Sequence, residues 1–249
     1  MLEALFIISL ALIAETIDSS IGMMYGTLLS PLLITAGYDP RLVVPSILIS
    51  QALGGAVATV RHHKYRNADF RGLSRDTKVV LAIVVPGLFA CIIGVFVALN
   101  IPRFVFKTYI GLLAIAMGFL CIRPYIYRFA WWKIYSIGVL SAFNKAFTGG
   151  GFGPITSTGK IIAGLNPRVS VATTTYAEVP ICLIGVFAWL VALHGNIDWI
   201  FPLHLSIGAF IGGLIGPYIT SKTESEKLKK LVGLLAVILG TWTLLRVFI

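Results

Sequence analysis

A glycine-rich stretch in the middle of the chain carries the strongest chemical signal. It reads Asn144, Lys145, Ala146, Phe147, Thr148, Gly149, Gly150, Gly151, Phe152, Gly153 and Pro154. A run of glycines ends one helix, a proline suits the first turn of the next, and Thr148 can cap that second helix. The N-terminus of a helix has free N–H groups and a positive dipole end, which together bind anions. The stretch therefore predicts an anion site formed by backbone amides, with Lys145 as a nearby cation.

A second break of the same kind lies near the start of the chain. It reads Asp18, Ser19, Ser20, Ile21, Gly22, Met23, Met24, Tyr25 and Gly26. When the first half is shifted by 127 residues, Gly22 falls on Gly149 and Gly26 on Gly153. Two helix N-termini that meet near the middle of a membrane would enclose a small anion, as in transporters built from inverted repeats. The alternative is that both breaks only let helices pack closely at small residues.

The predicted site has two sets of residues. The substrate-binding set is Ser19, Ser20, Gly22, Tyr25, Gly26, Lys145, Thr148, Gly149, Gly150, Gly151 and Gly153. The set predicted to line a cavity or to couple an ion is Asp18, Ser50, Gln51, Asn144, Thr174, Thr175 and Glu178. Glu178 lies deep in an apolar run, where charges are costly and usually functional. It could carry a coupling proton, pair with Lys145, or make a structural hydrogen bond, and the hydroxyl groups could instead join neighbouring helices.

The remaining polar residues predict no further chemistry. Lys160 is expected to extend to the membrane surface, and His62 and His63 are expected to be solvated in a basic loop. No set of side chains has metal-ligand spacing, and no nucleophile has a base beside it. Catalytic residues, a metal and a cofactor are therefore not predicted, and the chain is not expected to be an enzyme.

The composition of the 249 residues indicates the kind of element that positions these groups. Hydrophobic residues make up 57% of the chain and charged residues 12%, and the mean hydropathy is +0.92. Soluble domains are about 25% charged, so a soluble protein is excluded and an all-α polytopic membrane protein is predicted. The net charge of +10 is attributed to cytoplasmic loops, and no nucleic-acid partner is expected.

The hydropathy pattern divides the chain into strong and weak membrane segments. The strong segments are Arg41–Val60, Val79–Leu99, Phe104–Ile122, Val169–Leu193, Trp199–Ile219 and Leu231–Leu245. The weak segments are Leu2–Ala14, Gly22–Ala36, Ile134–Phe143 and Gly153–Gly164. The weak segments open each half, so they predict helices broken inside the membrane, where the freed backbone must be buried or line a cavity.

The chain is predicted to be a duplication of two five-segment halves, residues 1–124 and 125–249, in one integrated membrane domain. The loops Arg61–Lys78, Arg123–Lys133 and Lys222–Lys230 hold 13 of the 20 Lys and Arg residues, whereas His194–Trp199 holds none. Because Lys and Arg favour the cytoplasmic side, the first three loops are predicted inside and the fourth outside. Equivalent loops then lie on opposite sides, which predicts an inverted-topology repeat with both termini outside.

The duplicated architecture, the Gly-Gly-Gly-Phe-Gly-Pro break at 149–154, and the turns Asp39-Pro40-Arg41 and Asn166-Pro167-Arg168 resemble the TauE/SafE sulfite exporter family. This family is also called the toluene-sulfonate uptake permeases, and the resemblance covers about residues 4–249. It implies a secondary transporter in the cell inner (plasma) membrane for sulfite, thiosulfate or an organosulfonate. Alternating access with proton or ion coupling would suit such a carrier.

Several alternatives stay open at this point. A passive anion channel would use the same breaks, and a membrane-embedded enzyme or assembly subunit would use the same hydropathy. The expected partners are a small anionic substrate and membrane lipids, with a homodimer left open. The identity of the anion and the direction of its transport cannot be read from these residues.

Overall fold

The computed structural model describes residues 2–98, 103–122, 128–195 and 198–248, and within these ranges the chain forms ten α-helices and no strand. The helices are α1 (Leu2–Ile21), α2 (Tyr25–Thr35), α3 (Pro40–Lys64), α4 (Arg75–Ala98), α5 (Arg103–Ile122), α6 (Trp131–Thr148), α7 (Phe152–Ile162), α8 (Pro167–Ala192), α9 (Ile200–Lys222) and α10 (Ser225–Phe248). Parts of the predicted loops Arg123–Lys133 and His194–Trp199, and the end of the segment Val79–Leu99, lie outside the described residues.

Six of these helices, α1, α3, α4, α8, α9 and α10, are long and apolar enough to cross a membrane. They keep large apolar side chains exposed, such as Phe89, Phe187 and Leu203, as expected where lipid replaces water. The chain is therefore a multi-pass membrane protein. Five of the six strong segments fall in this set, and the sixth, Phe104–Ile122, forms the 20-residue helix α5.

Helix α1 is longer than the sequence predicts. The apolar run was expected to end at Ala14, but the helix continues to Ile21 and is long enough to span a membrane. The polar residues of its last two turns do not face lipid, because Glu15, Asp18, Ser19 and Ser20 are all buried inside the protein. The first break therefore begins at Gly22, not at Asp18.

Helices α3 and α8 begin in the same way in the two halves of the chain, and local sequence explains why. Helices α3 and α8 both begin with proline, which suits the first turn, and both have a side-chain cap. Asp39 accepts a hydrogen bond from the Arg41 N–H at 2.7 Å, and Asn166 accepts one from the Arg168 N–H at 2.9 Å. Helices α2 and α7 are 11 residues each, and the starts of both pairs lie 127 positions apart.

The helices of the two halves interleave in one core. Helix α9 packs against α1 and α3, and α4 packs in the same way against α6 and α8. The long helices α3 and α8 contact each other, and so do α5 and α10. This packing surrounds the short helices α2 and α7 and holds the two breaks inside the protein.

Candidate functional site

The two breaks have the same place in their halves. Residues Gly22–Met24 separate α1 from α2, and residues 149–151 separate α6 from α7. Gly22, Gly149 and Gly151 have φ angles of 82°, 71° and 76°. These angles lie in the left-handed region that glycine adopts most readily, so the glycines turn the chain sharply between the long and the short helix.

The two breaks contact each other directly through their backbones. A Cβ atom at Gly26 would overlap the carbonyl oxygen of Gly149, and one at Gly150 would lie 2.7 Å from the oxygen of Gly26. The Gly151 N–H donates to Thr27 Oγ1 at 3.1 Å. Close packing at small residues, which the sequence left as the alternative, is therefore present, and an anion between the breaks stays a prediction.

The N-termini of the two short helices differ in chemistry. The Tyr25 N–H at the start of α2 donates to Asp18 Oδ1 at 3.0 Å, so this end already has a carboxylate. Helix α7 begins after Gly151, and no described side chain caps it. Thr148 was predicted to cap α7, but it is the last residue of α6, and Gly151 holds the N-cap position of α7. The side chain of Thr148 lies outside the described residues.

A buried polar network joins four helices at the centre of the molecule. Lys145 on α6 donates to Glu178 Oε1 on α8 at 2.7 Å and to the side-chain oxygen of Gln51 on α3. The Gln51 Nε2 group then donates to Asp18 Oδ2 on α1 at 3.3 Å. Lys145 is only 1% exposed, so it lies within the protein and does not extend to the surface. The pairing with Glu178 is one of the three arrangements that the sequence allowed.

The four residues of this network are two pairs of repeat mates. Lys145 lies 127 positions after Asp18, and Glu178 lies 127 positions after Gln51. The first half thus contributes an acid and an amide where the second contributes a base and an acid. As a result, an aspartate lies four positions before Gly22, whereas a lysine lies four positions before Gly149.

Two of the predicted binding residues face away from the breaks. Ser19 Oγ lies 3.4 Å from the carbonyl oxygen of Gly212, and Ser20 Oγ lies 3.3 Å from that of Gly216, both on α9. Thr220 Oγ1 on α9 donates back to the carbonyl oxygen of Ser20 at 2.8 Å. These hydroxyl groups therefore lie between α1 and α9, and a role in binding stays a prediction for both serines.

The other predicted hydroxyl groups lie near the network. Tyr25 is fully buried, and its hydroxyl donates to Ser50 Oγ at 2.8 Å. Thr174 Oγ1 lies 2.9 Å from Ser157 Oγ and bonds to the backbone of its own helix. Thr175 bonds to its own helix as well, and Asn144 is buried one position before Lys145. Among the residues predicted to line a cavity, Asp18, Ser50, Gln51 and Glu178 are thus connected through Tyr25 and Lys145. Their role stays a prediction.

Two predictions of exposed side chains are wrong. Lys160 is fully buried and donates to Thr173 Oγ1 at 2.7 Å, because α7 is enclosed by α5, α6, α8 and α10. His62 is also fully buried, with its Nδ1 atom 3.0 Å from the side-chain amide of Asn67. It belongs to the last turn of α3 and not to the solvated loop, and its partner Asn67 donates to the Pro217 carbonyl oxygen on α9.

No role is predicted for Glu15 from the sequence, and the structure places this residue in the core. Glu15 is 0% exposed, and neither of its carboxylate oxygens has a hydrogen-bond partner among the described residues. It precedes Asp18 by three positions, so the two carboxylates lie on one face of α1. That spacing was the one signal that could have identified it.

A polar cavity of about 400 Å³ opens beside the loop between α3 and α4. It is lined by His63, Arg66, Asn67, Ala68, Asp69, Arg71, Asp76 and Val169. Charges of both signs border it, and Val169 places the start of α8 at its wall. Among the residues that the structure describes, no group of His, Cys, Asp and Glu side chains could hold a metal ion.

Comparison with known proteins agrees with this architecture. A family model described as "Sulfite exporter TauE/SafE" matches residues 7–243. The chain is 26% identical to the "Probable membrane transporter protein YtnM" of Bacillus subtilis (strain 168), with 96% of this chain and 82% of that protein covered. It is 24% identical to the "Probable membrane transporter protein YunE" of the same organism, with 94% of each covered. No solved structure matches the chain significantly. Since the family model covers nearly the whole chain, the protein belongs to the sulfite exporter TauE/SafE family.

Proposed function

We propose that this protein is a secondary transporter that carries a small sulfur-containing anion, such as sulfite, thiosulfate or an organosulfonate, across the cell inner (plasma) membrane. The observation that carries the proposal is the buried ammonium of Lys145, one turn before the break that leads into α7, a helix whose N-terminus has no described side-chain cap. A buried cation in the turn before a helix N-terminus is suited to a small oxyanion. The family and its two curated relatives support the transport function.

The anion binds at the break before α7 and not at the break before α2. Asp18 already provides a negative group at the start of α2, so an anion there would meet a like charge. The start of α7 has glycines at 149–151 and Lys145 one turn earlier. The proposed binding groups, once the breaks separate, are the amides of Gly150, Gly151 and Gly153 together with Lys145. The Gly151 N–H would then leave Thr27 Oγ1, whereas the Gly149 N–H donates to the Lys145 carbonyl oxygen at the end of α6.

The transport mechanism is alternating access between two inverted halves. Support comes from the 127-residue repeat of the helix starts and of the network residues, and from the unequal distribution of Lys and Arg among the loops. Because the two breaks contact each other, an anion can bind only when they separate. A rocking motion of one half against the other would provide that separation, with both termini outside.

Flux measurements in liposomes test this function. Purified protein should give saturable uptake of radiolabelled sulfite, thiosulfate or a sulfonate, and a Lys145→Gln variant should lose most of it. The matched control is Lys227→Gln, an exposed lysine on α10, which should behave like the wild type. Thermal unfolding of both variants shows whether they are folded. Absence of flux for every sulfur anion tested, with folded wild-type protein, would overturn the proposal, and flux that never saturates would indicate a channel.

A further inference from the structure

Three carboxyl groups share the centre of the protein with one ammonium group. Glu15, Asp18 and Glu178 are buried, as is Lys145, and Glu15 lies within electrostatic reach of the other three. If these four groups were all ionised, they would carry two unbalanced negative charges. The second buried lysine, Lys160, acts on Glu178 but is not among the groups that act on Glu15. An uncompensated charge in a low-dielectric interior is costly, so such groups become neutral instead. At least one of the three carboxyl groups must therefore hold a proton.

The hydrogen bonds identify which carboxyl group that is. Glu178 accepts a charged hydrogen bond from Lys145 at 2.7 Å. Asp18 accepts two bonds, from the Tyr25 N–H and from the Gln51 amide. Donors of this kind stabilise the ionised form of a carboxylate. Glu15 has no such donor among the described residues, so it is the group for which ionisation is least favourable.

The surroundings of Glu15 are helix backbone and small residues. A Cβ atom at Gly54 of α3 would lie 3.0 Å from the Glu15 carboxyl carbon, and one at Gly212 of α9 would lie 2.8 Å from its Cβ atom. Neither helix presents a charged side chain there. The titratable groups that act on Glu15 come from elsewhere and are Asp18 on α1, Tyr25 on α2, Lys145 on α6 and Glu178 on α8.

We propose that Glu15 is the proton-binding site of this protein and that its proton is carried together with the anion, an inference that rests on the proposed transport function. An anion beside Lys145 adds negative charge to the centre and so favours the protonated form of Glu15. By reciprocity, a proton on Glu15 strengthens anion binding by the same factor. The two therefore move in the same direction. Glu178, for which the sequence suggested a coupling role, stays paired with Lys145.

Infrared spectroscopy of the purified protein tests proton binding without any need for transport. At neutral pH the wild type should show the carbonyl band of a protonated carboxylic acid. The Glu15→Gln variant should lose this band completely, whereas Asp18→Asn and Glu178→Gln should retain it. A Glu15→Met variant gives the same test with a side chain that needs no hydrogen bond. Retention of the band in folded Glu15→Gln and Glu15→Met proteins would overturn the assignment.

Flux against a pH gradient tests the coupling separately. A gradient of one pH unit should drive about tenfold accumulation of a monovalent anion by the wild type, and the Glu15→Gln variant should lose this accumulation. Replacement of Na⁺ by K⁺ should leave anion accumulation by the wild type unchanged. A requirement for Na⁺ would overturn the proposal, because the coupling ion would then be a metal cation and not a proton. If no sulfur anion is transported at all, the proposed function fails, while the infrared result still decides where the proton lies.

Discussion

At the scale of single residues, the Lys145–Glu178 ion pair is the feature on which the centre depends. Removal of one member of a buried ion pair leaves an uncompensated charge and typically costs about 3–5 kcal/mol, whereas removal of both members costs far less. We therefore expect Lys145→Met and Glu178→Met each to lower the unfolding temperature in detergent. The double variant should recover most of the loss, and Lys227→Met serves as the exposed control. A double variant as unstable as the sum of the two single ones would contradict a direct pairing.

Lys160 differs from Lys145 because it has no ion-pair partner among the described residues. Its amino group donates to the Thr173 hydroxyl in a fully buried position. Replacement of a poorly compensated buried polar group by an apolar side chain of similar volume is often neutral or stabilising. We expect Lys160→Met to unfold at the same temperature as the wild type or higher, measured by thermal unfolding in detergent. A clear loss of stability would show that the amino group holds α7 against α8.

At the scale of the elements, the two breaks can contact each other only because Gly26 has no side chain. A Cβ atom there overlaps the carbonyl oxygen of Gly149, so Gly26→Ala must push α2 away from the second break. We expect this change to destabilise the protein and to lower anion flux. Gly185→Ala on α8 is the matched control, since its new Cβ would meet only the flexible end of Leu48 at 3.0 Å. Equal stability of the two variants would contradict the backbone contact.

The same geometry limits what a larger substitution can show. A side chain at Gly150 would meet the backbone of Gly26 and Thr27 at 2.7–2.8 Å. A Gly150→Leu variant, which the glycine stretch alone would suggest as a way to block an anion, would therefore separate the breaks. Its loss of binding would report on their packing, and Lys145→Gln is the better test of the anion.

At the scale of the whole molecule, the distribution of charge predicts the orientation in the membrane. We expect an Arg71→Cys protein to react with an impermeant maleimide only after the cells are permeabilised, because its basic loop should face the cytoplasm. An Asp198→Cys protein should react in intact cells. The native Cys91, Cys121 and Cys182 are buried, so they should give little background. Labelling of the Arg71→Cys protein in intact cells would reverse the predicted topology.

The sequence by itself determined the class of the protein and the position of its elements. Hydropathy and the spacing of glycine and proline are local properties, so they located the long helices, the breaks around Gly22 and Gly149, and the turns at 39–41 and 166–168. The family followed from the same local motifs. Polar composition misled the assignment for α1 and for α6, which continues past the predicted end at Phe143 to Thr148. The polar residues at the ends of both helices, among them Glu15, Asp18 and Lys145, are buried by other helices and not by lipid.

Only the tertiary structure decided which polar side chains meet and which are buried. Gln51 and Lys145 are 94 positions apart in the chain, and no local pattern indicates that their helices lie side by side. The burial of Lys160 and His62 likewise depends on helices that cover them from distant parts of the chain. Asp18 accepts hydrogen bonds from donors on α2 and α3, whereas Glu15 has no donor among the described residues. The physical reason is that helix formation depends on neighbouring residues, whereas burial and hydrogen-bond partners depend on how whole helices pack.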